Sequence, residues 1–132
     1  MATPKLLFLL LLFVLFLSSS TNSSQVPNST SIEIACAAVR ATLTEAKRVH
    51  EYMTTSLAKD DGGVGRQAVA DCEDCFEEAV GELRDSVEEL TRLEEETFGW
   101  QMSNVETWVS AALTNQVTCL DGLEGCKGRR EL

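Results

Sequence analysis

The 132-residue sequence is poor in what enzymes and membrane proteins need: it has one histidine, one tyrosine, two prolines and 11 basic side chains against 21 acidic ones. With His50 as the single imidazole and no G-x-S-x-G segment, a Ser-His-Asp centre has nothing to assemble from. The longest apolar run, Leu6 to Leu17, has twelve residues, whereas a helix that crosses a bilayer needs about 20. The shortage of Lys and Arg excludes nucleic acid and anionic membrane as partners, because both select basic patches. At roughly 100 to 200 residues per domain, the length leaves room for one small domain.

Lys5, the short apolar run and the following Ser18, Ser19 and Ser20 together read as a secretory signal peptide, residues 1–24. Its removal takes Lys5 with it and moves the formal net charge from −10 to −11, so a basic protein or a cation is the partner that the field attracts. All five cysteines lie beyond this leader. In an oxidising compartment their spacing is read as disulfide before metal or redox chemistry. Residues 21–31 are polar and aperiodic and hold glycosylation sequons at Asn22 and Asn28; beyond the leader, 25–31 read as a disordered tail.

From Ile32 the pattern changes. Ile32, Cys36, Val39, Leu43, Ala46, His50, Met53 and Leu57 step by three and four, which puts them on one face of a first helix. Asp60 to Gly65 reads as a Gly-rich linker, since no Lys-Ser or Lys-Thr follows to make a phosphate cradle. A second helix, about 66–95, carries Val69, Cys72, Phe76, Val80, Leu83, Val87 and Leu90 on its apolar stripe. Twelve carboxylates between Asp71 and Glu96 face only Arg84 and Arg92, so the opposite side stays in water or meets a cationic partner. A capping box at Ser103 to Glu106 predicts the start of a third helix, and Asp121-Gly122 its end. Its stripe is Val105, Trp108, Val109, Ala112, Leu113, Gln116 and Leu120. No alternating run of strand length exists, so the class is all-α: an antiparallel up-down bundle of three long helices over 32–126, with a short tail at 127–132.

The chemistry-bearing patterns are few. Cys72-Glu73-Asp74-Cys75 has redox spacing but no βαβ context, and a zinc site from Cys72, Cys75, Cys119 and Cys126 has a helix end inside its second pair. A bridge from Cys72, near the start of helix two, to Cys119, near the end of helix three, joins ends that antiparallel neighbours bring together. Cys36 then reads as a buried apolar thiol. His50 reads as a packed structural side chain. A slim bundle offers no cleft for a glycosidase carboxylate pair. The chain reads as a non-enzyme with no cofactor and no metal.

Residues Asn104 to Gly125, NVETWVSAALTNQVTCLDGLEG, closely resemble the signature of the plant invertase and pectin methylesterase inhibitor family. Ala68 to Leu83, AVADCEDCFEEAVGEL, is similar to that family's other block, and Ala37 to Lys47, AAVRATLTEAK, looks like the first helix of its four-helix bundle. The resemblance implies a secreted protein that occludes pectin methylesterase, or alternatively acid invertase, and the same Cys72–Cys119 pairing. It carries partner-binding roles onto Asp74, Glu78, Thr118 and Asp121, and puts Gly81 where the family pattern has a further acid. The family's N-terminal hairpin and last helix find no counterpart here, from which an exposed apolar groove and a homodimer, bridged through Cys126, are the expectation. The alternative in another class is an inhibitor fold with only a structural or self-associating role.

Overall fold

The computed structural model describes residues 28–57 and 63–130, and among them the chain forms three helices: α1, Ser29–Tyr52; α2, Gly63–Thr91; and α3, Phe98–Arg130. The signal peptide and Asn22 lie outside the described residues. α2 packs against both neighbours and most extensively against α3, whereas no Cα of α1 comes within 8 Å of one in α3. The pairs are antiparallel, because Ile32 and Cys36 near the start of α1 sit beside Leu90 and Thr91 at the end of α2, and Cys72 near the start of α2 is bonded to Cys119 in α3.

α1 starts three residues before the expected Ile32. Asn28 is its N-cap, with φ −61° and ψ 157° and its side chain accepting from the Ser31 N–H, so the last four residues of the presumed tail (28–31) are the cap and first turn of a helix. At the other end α1 widens into a π-helical turn, Met53–Leu57. The hydroxyls of Thr54 and Thr55 both donate to the Glu51 carbonyl, at 2.9 and 2.7 Å. This back-bonding competes with the regular ladder and accounts for the irregularity. α2 also begins early, taking Gly63 to Gly65 out of the expected linker, and stops at Thr91 rather than near residue 95.

The limits expected for α3 are corrected at both ends. Ser103 is no cap but an exposed residue inside the helix, and its carbonyl accepts from the Thr107 hydroxyl at 2.8 Å. The start is organised by Gln101, which is 7% exposed. Its amide oxygen accepts from Glu94 N–H at 2.7 Å and from the Thr97 hydroxyl at 3.1 Å, and its Nε2 donates to the Arg92 carbonyl at 2.8 Å. One side chain thus satisfies a backbone N–H and a backbone carbonyl of the α2–α3 connection, while the N–H groups of Arg92 and Thr97 donate to the Glu89 and Glu94 carbonyls. Gly122 does not end α3, which continues to Arg130. A glycine inside a helix costs about 1 kcal/mol, too little to stop a long helix held by packing.

The core combines Val39, Phe76, Leu83, Val105 and Val109 at the helix contacts. The expected stripes are right in position and wrong at one edge. Ile32, Cys36, Leu43 and His50 of α1 and Val69, Val80 and Val87 of α2 are only half-buried, while Ala35, Thr42, Ala68, Ala79 and Ser86 are fully buried. Small side chains occupy the closest approach of two helices and larger ones flank it, as axes about 8–10 Å apart require. Thr42 of α1 and Gln116 of α3 are 2% and 1% exposed, although the two helices make no close backbone approach to each other. Cys126 is 7% exposed and faces inward, so the premise for an intermolecular bridge through it fails.

Candidate partner-binding surface

The carboxylates of α2 fall into two sets with different tasks. Glu82 and Glu89, seven residues apart, form the first set and accept hydrogen bonds across the seam from the side-chain amides of Asn115 and Asn104, each at 3.2 Å. Burial pushes the Glu82 carboxyl above its ordinary value; the nearby charges of Glu78 and Asp85 push the same way and the Asn115 hydrogen bond pulls it back. These two rungs did not emerge from the sequence reading. The signal was there in the seven-residue spacing of the acids and the eleven-residue spacing of the amides, each a whole number of turns along one helix edge.

Asp74 and Glu78 form the second set, four residues apart on the exposed ridge of α2, and Gly81 continues that ridge one turn on. On α3, Thr118 and Asp121 are also exposed and flank Cys119. The bridge holds the Cα atoms of Cys72 and Cys119 at 4.5 Å, so Asp74 and Thr118, each within two residues of a bridged cysteine, are held at the same level of the bundle. The Thr118 hydroxyl donates to the Thr114 carbonyl at 2.9 Å, which leaves its lone pairs turned outward to accept. All four of the expected partner-binding side chains are therefore accessible at the stapled end, and none is spent on a bond to another helix among the described residues.

Other readings of the same residues fall away on geometry. Cys72 and Cys119 are bonded to each other, so neither is a thiolate for zinc, and the Cys72–Cys75 redox pair does not form. Burial, followed by the charges of Glu78, Asp71 and Asp74, raises the Cys75 thiol above its ordinary value and keeps it protonated. Cys36, expected to be buried, is a half-buried free thiol. His50 is half-buried in the last turn of α1. A shallow depression of about 580 Å³ opens between α1 and α2 at Ile32, Cys36, Arg40 and Leu90, but Glu33 is the one carboxylate lining it.

The sequence profile of the plant invertase/pectin methylesterase inhibitor family matches residues 14–131, nearly the whole chain. The chain belongs to that family. Among its inhibitor relatives, Pectinesterase inhibitor 9 of Arabidopsis thaliana is 36% identical over 110 residues, covering 78% of this chain and 53% of the relative. Pectinesterase inhibitor 6 of the same plant is 37% identical over 95 residues, 72% of this chain and 46% of the relative. The 21 kDa protein of Daucus carota is 38% identical over 98 residues, with 70% and 50% covered. The chain thus spans about half the length of the curated relatives it matches. No solved structure matches it. As in the resemblance, the inhibitor-family cysteines of both blocks form the bond that joins α2 to α3.

Proposed function

We propose that this protein is a secreted inhibitor of pectin methylesterase that acts by binding and occluding the enzyme, without cofactor, metal or covalent step. The carrying observation is that Asp74 and Glu78 on α2 and Thr118 and Asp121 on α3 are all exposed near the Cys72–Cys119 bridge, in a chain whose relatives are named pectinesterase inhibitors. The bundle offers fixed, unspent acceptors on a rigid support, which lowers the ordering cost of binding. The acidic ridge steers a basic target surface and penalises an acidic one. In keeping with relatives named as inhibitors, we read the role as that of a ligand to an enzyme. The leader at residues 1–24 sends the chain to the cell wall, where pectin methylesterase works.

Titration of the purified protein against pectin methylesterase and, separately, acid invertase tests the reading. Stoichiometric inhibition of the first, weakening as salt is raised, is the expected result. The double substitution Asp74→Lys with Glu78→Lys reverses the ridge and is expected to cost at least tenfold in affinity, since truncating or reversing interfacial charges costs about 2 kcal/mol or more. Inhibition of invertase alone redirects the proposal to the family's other target. Inhibition of neither leaves the structural alternative. An unchanged titration by the charge-reversed variant shows the ridge to be merely solvated.

A further inference from the structure

We infer that Asn28 carries an N-linked oligosaccharide while still capping α1, and that this glycan stands at the end of the bundle opposite the partner-binding ridge. The inference rests on the export proposed above. Asn28-Ser29-Thr30 is a complete sequon, and all three residues are exposed. The cap uses one atom of the Asn28 side chain: Oδ1 accepts from the Ser31 N–H at 2.9 Å and from the Ser31 hydroxyl at 2.8 Å. The atom that a glycan modifies is the other one, Nδ2.

The chemistry keeps the two roles separate. Nδ2 attacks the anomeric carbon of a polyprenyl-pyrophosphate-linked oligosaccharide; an N–C bond forms, the C–O bond to pyrophosphate breaks, the polyprenyl pyrophosphate leaves and one amide proton passes to a base. The product is a secondary amide whose Oδ1 keeps both lone pairs, so the two bonds to Ser31 survive modification. Asn28 matters to the helix because the first turn of α1 has no acidic residue to favour the helix dipole. The placement follows from the antiparallel register. Ile32 and Cys36 lie beside Leu90 and Thr91, and Asp74 is seventeen residues back along α2 from Thr91, about 25 Å at 1.5 Å per residue. A glycan at the foot of α1 therefore leaves the ridge uncovered.

Three variants of the full chain, expressed through a secretory eukaryotic host, separate modification from capping. Thr30→Ala destroys the sequon and leaves Asn28 in place; Asn28→Asp removes the acceptor nitrogen and keeps a capping oxygen; Asn28→Gln removes both. Glycopeptide mass spectrometry before and after peptide N-glycanase is expected to find the oligosaccharide at Asn28 in the wild type and in none of the variants. Thermal melting is expected to rank Asn28→Gln below Asn28→Asp and Thr30→Ala, and the inhibition titration is expected to be the same for all four proteins. Secreted wild-type protein with a bare Asn28 overturns this inference alone. Protein retained in the cytosol with neither sequon occupied overturns the export reading and this inference with it. A wild type that melts as low as Asn28→Gln refutes the retained cap, and inhibition that changes on loss of the glycan refutes its placement.

Discussion

Gly81 lies in the middle of α2, where the resemblance puts an acid in other members of the family, and replacing it tests fold and surface together. A Cβ built there has nothing within 4 Å, and the residue is not in the left-handed region that glycine alone tolerates. Gly81→Ala therefore removes unfolded-state freedom without a clash. The propensity difference between glycine and alanine inside a helix is about 1 kcal/mol. For a domain near 100 residues that raises the melting midpoint by about 4–8 °C. Gly81→Glu is expected to keep only part of this gain, because the new carboxylate falls four residues from Glu77 and four from Asp85, and each like-charge pair costs about 0.2–0.5 kcal/mol. In the inhibition titration the order reverses: Gly81→Glu extends the Asp74–Glu78 ridge and binds more tightly than wild type, while Gly81→Ala is neutral. Thermal melts and salt-dependent titrations of the two variants read both effects. Loss of stability in Gly81→Ala refutes the open helical environment, and equal binding by all three proteins refutes the continued ridge.

Removal of the bridge by Cys72→Ala with Cys119→Ala is expected to lower stability by about 4 kcal/mol in urea unfolding, the chain-entropy value for a closed loop with a sequence separation of 47; a change under 1 kcal/mol shows that α2 and α3 stay together without it. The raised Glu82 carboxyl makes a signed pH prediction. Its folded value lies above the ordinary 4.5, so below 4.5 it is neutral in both states, and stability falls as pH rises from there through the raised value, then levels off. Glu82→Gln keeps an acceptor for Asn115 and is expected to flatten that fall; melting curves between mildly acidic and neutral pH check it, and an unchanged slope removes Glu82 as its source.

Much of this fold was legible in the residues, and the physical reason is periodicity. A step of three and four specifies which side of a helix is apolar whatever lies next to it, so Val39, Ala46, Phe76, Leu83, Val105, Val109, Ala112 and Gln116 were all placed inside from spacing and are all buried. The Cys72–Cys119 bond followed from the meeting of antiparallel ends. Asp74 and Glu78 were legible as part of the acidic face opposite the apolar stripe, whereas Thr118 and Asp121, and the assignment of all four as a surface, came from resemblance.

Tertiary structure decided what local signals govern only weakly. The capping box at Ser103 and the stop at Gly122 are worth about 1 kcal/mol each, and the packing of α3 along α2, together with the Gln101 clamp on Arg92, Glu94 and Thr97, outweighs both. Which edge of each stripe is sealed depends on where the neighbouring helix lies, which no single helix encodes. That is why Ala79 and Ser86 are buried while Val80 and Val87 are half-exposed. The division of the acids into rungs and ridge is decided the same way: Glu82 and Glu78 are alike in sequence, and only the position of Asn115 makes one a tie between helices and leaves the other for a partner.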